Sequence, residues 1–243
     1  MNFEIETLAE DTLVLRFGTR LDATVNAQVH AAAATLRAAR PEFVLDIAPA
    51  YASLTLRFDA LALGATTHAK GPPHTRLVKK LRMLLVGSES AANATSRSQA
   101  ARPPVEIPVC YGGDCGPDLA ELAAHARLTT EAVIARHAAG AYTVAMLGFA
   151  PGFPYLLGLE PALHMARRTT PRTRVPAGSV AIGGTQTGIY PRSLPGGWNL
   201  IGRTPLVLFD AARTRPSLLM PGDRVHFRAI GPDEFTALAR QVP

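Results

Sequence analysis

Along the first stretch of chain, Leu13, Leu15 and Phe17 fall on one side of a two-residue period and Thr12, Val14 and Arg16 on the other, which predicts a strand. Asp22 then stands where an N-cap belongs, ahead of Val25, Val29, Ala33 and Leu36 at helical spacing, and Pro41 ends that helix. Phe43 to Ile47 is a short buried run, and Leu54, Leu56 and Phe58 alternate with Ser53, Thr55 and Arg57, giving two more strands. Arg76 to Val86 is apolar and basic at helical spacing. Residues 1–87 therefore read as a small α+β domain, with an irregular loop from 64 to 73 that matches no element.

From 88 to 104 no apolar period survives, and Ser, Ala, Asn, Thr, Arg and Gln lead to Pro103-Pro104, a linker composition. Val105 to Val109 resumes as a strand. Pro117 at the first helical position and Asp118 in the first turn open a helix through Leu119, Leu122 and Ala126, and Thr129 caps a second one that Gly140 ends. Short apolar runs (Tyr142 to Phe149, Ser179 to Ile182, Leu206 to Phe209, Arg224 to Phe227) then alternate with Gly- and Pro-rich turns. That density of turns predicts a mainly-β second domain over 105–243, a compact antiparallel barrel or sandwich with short helices.

At 243 residues and 47% apolar content the chain is globular, which agrees with two small domains. The net charge of +6 suggests nucleic acid until it is mapped. Leu163 to Arg215 holds eight arginines and the single acid Asp210, a local +7 that leaves the other residues at −1. Fork-shaped guanidiniums concentrated in this way suit carboxylate or phosphate ligands, whereas no aromatic pattern of an RNA-binding kind interleaves them. No nucleic acid partner is expected. Glu4, Glu6, Glu10 and Asp11 near the start, and the lack of an unbroken apolar run of membrane length, predict a cytoplasmic protein without export signal or membrane partner. Cys110 and Cys115 read as two reduced thiols, and no metal site is expected. His30, His68, His74, His125, His137, His164 and His226 read as surface or capping residues.

The chain has no G-x-x-x-x-G-K-S/T, G-x-G-x-x-G, G-x-S-x-G or H-E-x-x-H motif, so a self-contained P-loop ATPase, Rossmann dehydrogenase, α/β-hydrolase or zincin is not expected. Candidate chemistry lies between Met146 and Phe209. Phe149, Pro151, Gly152, Phe153 and Tyr155 make a stiff apolar wall, which either buttresses a barrel end or lines a pocket. In Gly183-Gly184-Thr185-Gln186-Thr187-Gly188-Ile189-Tyr190, glycines on both sides of Thr-Gln-Thr would let main-chain amides approach an anion. Pro195 to Arg203 brings the only tryptophan, Trp198, within reach of an amide and an arginine; Trp198 is either a ligand or a core anchor. Arg172, Arg174 and Ser179 would add guanidiniums and a hydroxyl, with Ser179 a donor rather than a nucleophile.

Through these loops the chain closely resembles the family of the B subunit of bacterial ATP-dependent 5-oxoprolinase. That family also includes the inhibitor of a sporulation histidine kinase, proteins named allophanate hydrolase subunit 1, and part of the carboxyltransferase domain of urea carboxylase. The matching segments are Met146 to Tyr155, Thr170 to Ser179, Gly184 to Pro191 and Pro195 to Asp210, with weaker ones at Pro49 to Asp59, Glu106 to Gly113, Gly116 to Leu119 and Pro221 to Phe227. Cys115 departs from the aromatic residue common in relatives, and Asn199 from a glutamine.

The resemblance implies an α+β N-terminal domain followed by a cyclophilin-like barrel. It also implies A and C partner subunits, a small lactam or amide substrate, and ATP with Mg2+ at a site shared with a partner. Laid on that chemistry, Arg203, Gln186 and Tyr190 are the expected catalytic residues. Arg172, Arg174, Ser179, Gly184, Thr185, Thr187, Gly188 and Trp198 are the expected substrate and phosphate ligands, and Phe149, Pro151, Gly152, Phe153 and Tyr155 the pocket or partner wall. The rival readings are a binding module that inhibits a histidine kinase without chemistry, and a carboxyltransferase element.

Overall fold

Asp22 caps the first helix as its position foretells, its carboxylate accepting the Thr24 and Val25 amides at 2.8 and 3.0 Å. The computed structural model describes residues 2–65, 73–85 and 103–241, and the chain divides into two units, Met1–Arg102 and Pro103–Pro243. In the first, β1 (Glu4–Ala9), β2 (Thr12–Arg16), β3 (Val44–Pro49) and β4 (Ser53–Phe58) form an antiparallel sheet in the order β1-β2-β4-β3. The helices are α1 (Ala23–Ala39), α2 (Ala60–Ala65) and α3 (Pro73–Leu85).

Leu13, Leu15, Leu54, Leu56 and Phe58 share a core with Val29, Ala33 and Leu36 of α1 and Leu77, Leu81 and Leu85 of α3. Full burial of each large apolar side chain contributes about 1.5–3 kcal/mol. Strand β1 carries no sequence signal because it is an exposed edge whose glutamates follow no apolar period. Most of the irregular loop and of the linker falls at 66–72 and 86–102, outside the described residues.

The second unit contains β5 (Val105–Tyr111), α4 (Leu119–Ala126), α5 (Thr130–Ala139), β6 (Tyr142–Leu147), β7 (Pro154–Leu157), β8 (Arg172–Val175) and β9 (Ser179–Gly183). It continues with β10 (Gln186–Ile189), β11 (Leu194–Gly196), β12 (Asn199–Arg203), β13 (Arg224–Ile230) and α6 (Pro232–Gln241). Seven strands close a barrel in the order β10-β7-β6-β13-β5-β12-β9, while β8 and β11 pair only with each other. Closure decides for a barrel over a sandwich. The barrel is not wholly antiparallel: β13 runs parallel to β5 from Val225 beside Val105 to Ile230 beside Cys110. Leu206 to Phe209, expected as a strand, contributes only an isolated bridge from Phe209 to Ser217. Helix α4 begins after Asp118, so Pro117 precedes the helix instead of opening it.

The barrel interior is packed by Ile107, Val109, Val144, Leu156, Val180, Ile182, Ile201 and Phe227. His137 of α5, expected at the surface, is instead fully buried among them; His30 is buried too, against Asn26 at 3.0 Å. The Thr187 hydroxyl donates to the Ala181 carbonyl at 3.0 Å and so presents a lone pair to His137 Nε2 at 3.1 Å. Nε2 therefore carries the proton, and Nδ1 accepts from the Tyr111 hydroxyl at 2.8 Å. Every member of the chain Tyr111, His137, Thr187, Ala181 is satisfied with a neutral imidazole, and desolvation pushes the His137 pKa down to about 3.

An unfolded histidine protonates near its ordinary value of 6.5, whereas the folded one stays neutral until about pH 3. Below pH 6.5 the unfolded chain takes up a proton that the folded chain refuses, so this stability is complete above that pH and is lost as the pH falls. Urea unfolding followed by Trp198 fluorescence should show the barrel losing about 2 kcal/mol between pH 7.5 and 5 relative to a His137→Gln variant. Parallel pH profiles for the two proteins would refute a neutral buried His137.

Candidate functional site

The two-residue period of the strands sorts the candidate residues onto opposite faces of the barrel wall. On β9, Val180 and Ile182 join the interior core while Ala181 joins a second cluster with Phe153, Val175, Tyr190, Trp198 and Leu200. On β10, Thr187 and Ile189 point inward. Gly188 faces the other way, where a Cβ would lie 3.1 Å from both Phe153 and Trp198. Tyr190 follows Gly188 on that outer side.

The aromatic loop owes its shape to short main-chain bonds: Gly148 N to Phe153 O at 3.2 Å, Ala150 N to Gly148 O at 2.7 Å and Phe153 N to Ala150 O at 3.0 Å. Gly152 sits at φ +79, and a Cβ there would meet the Phe209 side chain at 2.6 Å. Phe149 is held at φ +65 with 60% of its surface exposed, a conformation that costs a bulky residue about 1–3 kcal/mol. Its ring stands edge-on to Phe153 and Tyr190, at 5.4 and 6.3 Å between centroids. Phe153 in turn meets Tyr190 at 5.2 Å and Trp198 at 5.7 Å, both edge-to-face.

These rings, with Tyr155, wall a pocket of about 320 Å³. Arg167, Arg168, Pro171 and the Pro195-Gly196-Gly197 turn complete its lining. The Arg167 guanidinium lies 5.6 Å above the Trp198 ring, a cation–π arrangement. Burial pushes the Tyr190 hydroxyl above its ordinary pKa, opposed by a hydrogen bond from the Trp198 amide and by the charges of Arg167 and Arg172. Tyr155 is raised by burial as well. The pocket thus joins a wall of edge-to-face aromatic rings, two phenol hydroxyls and a cationic rim. It suits a small planar ligand with a carboxylate.

Of the residues expected at the site, Phe149, Phe153, Tyr155, Tyr190 and Trp198 line this pocket, and Trp198 is at once ligand wall and anchor, being 5% exposed. Pro151 is exposed and Gly152 shapes the loop. The others go elsewhere. Thr187 is spent in the barrel interior, and Ser179 is buried on β9. Gln186 is buried on β10, and Thr185 is exposed in the β9–β10 turn. Gly184 does not offer its amide to an anion, because that amide donates to the Met165 carbonyl at 2.7 Å.

Arg174 bonds Ser193 Oγ across the β8–β11 ribbon at 3.2 Å. Arg203 donates from Nε to the Ala177 carbonyl at 2.8 Å and lies over Phe235 of α6. It does not line the aromatic pocket. Beside it, Cys115 and Cys110 are free thiols, and burial pushes the Cys115 pKa up to about 11.

Sequence reasoning missed Arg167 and Arg168, visible only as part of an arginine-rich run, and Asp118, read as an ordinary helix-start acid. Asp118 is buried, and its Oδ2 accepts the Leu200 amide of β12 at 2.7 Å. Its Oδ1 takes Arg172 at 2.7 Å and Arg168 at 3.2 Å. Among the described residues no group of three or more His, Cys, Asp and Glu could hold a metal ion, and no helix is long and apolar enough to cross a membrane.

Residues 3–219 match the family described as carboxyltransferase domain, subdomain C and D. The chain is 40% identical over 238 residues to the 5-oxoprolinase B subunit of Bacillus subtilis, spanning 98% of this chain and 97% of that protein. To the 5-oxoprolinase B subunit of Escherichia coli O157:H7 it is 58% identical over 123 residues, 51% of this chain and 56% of that one. The solved protein TTHA0988 superposes with a TM-score of 0.74 at 40% identity over 91% of this chain, which spans 40% of its length. Urea carboxylase of Kluyveromyces lactis shares the fold, with a TM-score of 0.68 at 17% identity over 98% of this chain and 23% of that one.

The pocket depends on Tyr190 lying against bare backbone, since a Cβ on Gly196 would fall 2.2 Å from the Tyr190 hydroxyl. Gly196→Ala should cost about 2 kcal/mol of stability in urea unfolding, in the range for overpacking a buried contact, and should shift Trp198 emission. An unchanged midpoint and spectrum would contradict this packing.

Proposed function

From the premise that this chain belongs to the family of carboxyltransferase domains, subdomains C and D, we propose that it serves as the B subunit of an ATP-dependent 5-oxoprolinase, opening 5-oxoproline to L-glutamate together with A and C subunits. The observation that carries this reading is 40% identity to the Bacillus subtilis protein across 97% of that protein's length. The pocket geometry supports it independently. A five-membered lactam is flat, small enough for about 320 Å³, and bears one carboxylate and one amide.

In this reading Arg167 receives the substrate carboxylate, the lactam lies against the pocket wall of Phe149 and Trp198, and the Tyr190 and Tyr155 hydroxyls address its amide. An unactivated lactam resists water. Transfer of the ATP γ-phosphoryl group to the amide oxygen releases ADP and makes the amide carbon electrophilic; water adds at that carbon, the ring C–N bond breaks as the nitrogen takes a proton, and a second water displaces phosphate from the resulting acyl phosphate to leave the glutamate carboxylate. A space of this size does not take a whole nucleoside triphosphate beside the lactam. The nucleotide with its Mg2+ is accordingly proposed at a site completed by a partner subunit, with Arg203 and Arg174 as the contributors from this chain. Without that partner the chain should turn over little substrate.

The deciding measurement is phosphate release with ATP and 5-oxoproline from the three subunits together, against the same mixture lacking this chain. Release that requires all three is the expected result, and a complex that forms without release would move the substrate to another amide. Within an active complex, Arg167→Ala should lower kcat/KM for 5-oxoproline about tenfold or more, as loss of a charged ligand contact does. An unchanged value would remove Arg167 from the substrate site.

A further inference from the structure

We propose that Asp118 is a positioning residue for the aromatic pocket: its buried carboxylate pins the β8–β11 ribbon to the barrel and fixes the guanidiniums of Arg168 and Arg172 beside Trp198 and Tyr190. The ribbon has no ladder to the barrel, because β8 and β11 pair only with each other, and a lone two-stranded pair is marginal by itself. It nonetheless forms one side of the pocket through Pro195 and Gly196. Val175 packs it into the cluster with Ala181 and Leu200, but apolar packing is non-directional and fixes no guanidinium. Asp118 reaches both bodies, taking the Leu200 amide of barrel strand β12 with Oδ2 and Arg172, the first residue of β8, with Oδ1, each at 2.7 Å.

Two features separate this carboxylate from an ordinary helix cap. It occupies the cap position before α4 yet makes no side-chain bond to that helix's amides, the role an aspartate normally fills there. It is also 4% exposed, and a charge so buried needs opposite charge and hydrogen bonds around it. Here it has both, from two arginines at once. Arg168 lines the pocket, and the charge of Arg172 acts on the Tyr190 hydroxyl. One nitrogen on each guanidinium, Arg168 Nε and Arg172 Nη1, is buried without a hydrogen-bond partner. The clamp therefore sets the position of both side chains ahead of their own hydrogen bonding. Asp118 and, at 3.5 Å from Arg168, Glu121 balance the two guanidiniums, so the positive charge of the pocket margin comes from Arg167 over Trp198.

The test uses the full chain carrying Asp118→Asn, which retains an oxygen for the Leu200 amide but loses the charge, and Arg172→Gln, which leaves Asp118 in place and cuts the tether. Trp198 is the only tryptophan, so acrylamide quenching reads the ribbon's cover directly. Both variants should keep the wild-type far-ultraviolet circular dichroism while the quenching constant rises about twofold or more. In the three-subunit complex, an arm that rests on the 5-oxoprolinase reading, KM for 5-oxoproline should rise about tenfold with kcat within about twofold. Unchanged quenching in a folded variant, or a loss of kcat at constant KM, would overturn the proposal. If Asp118→Asn does not fold, Arg172→Gln decides. A wild-type complex without 5-oxoproline-dependent turnover would remove the functional reading alone, and quenching would still decide the role of Asp118.

Discussion

Direct packing of aromatic rings onto bare backbone is the constraint on which this site depends. A Cβ at Gly183 would lie 2.5–2.6 Å from Trp198 ring atoms, one at Gly188 2.8 Å from the Pro154 carbonyl, and one at Gly196 2.2 Å from the Tyr190 hydroxyl. No side-chain-bearing residue fits at those three positions without moving a buried ring or the chain itself. The aromatic cluster, the walls of the pocket and the seating of Arg167 over Trp198 all follow from that close approach. Of the glycines that read in the sequence as a cradle for anions, Gly183 and Gly188 are spacers for aromatic side chains, while Gly184 serves the turn with a positive φ of 68°. Their density around Thr185 to Tyr190 and Pro195 to Trp198 needs no phosphate to explain it.

What is legible in the sequence is whatever local periodicity and punctuation determine. The Asp22 and Thr129 caps, helix α1 up to Pro41, strands β2, β4 and β5 and the turn-rich character of the second unit all rest on neighbours within a few residues. Their side chains do what those positions foretell. The parallel pairing of β13 with β5 is hidden because it joins residues about 120 positions apart, and no local pattern records the direction of a distant partner. His137 is hidden for a related reason: its burial follows from α5 packing on Phe227 and Tyr142, not from its own helix.

At the site, the residue types are legible and their grouping is not. Gln186, Thr187 and Tyr190 look adjacent as letters, yet the strand period that predicts β10 also sends Thr187 and Tyr190 to opposite faces of the wall. That period, applied to the motif by itself, already removes Thr187 from the ligand set. The arginines are a different case. Their concentration is visible, but which of them line a pocket depends on where Asp118 draws Arg168 and Arg172 and where Trp198 offers a ring to Arg167. A carboxylate some 50 residues upstream leaves no mark in the spacing of the guanidiniums it organises.

The two faces of the barrel wall also differ in how completely their polar groups are matched. Inside, the polar groups form one chain from the Tyr111 hydroxyl through His137 and Thr187 to the Ala181 carbonyl, each donor matched to an acceptor, amid close-packed Ile, Val, Leu and Phe. A saturated chain in a filled interior has nothing to offer a ligand, and desolvation keeps its histidine neutral at neutral pH. Outside, beneath the β8–β11 ribbon, guanidinium charge is in excess of carboxylate and buried donors lack acceptors. Binding energy is available where polar groups are incompletely matched, and on this ground we propose the outer wall of the barrel, and not its lumen, as the site for an anionic substrate.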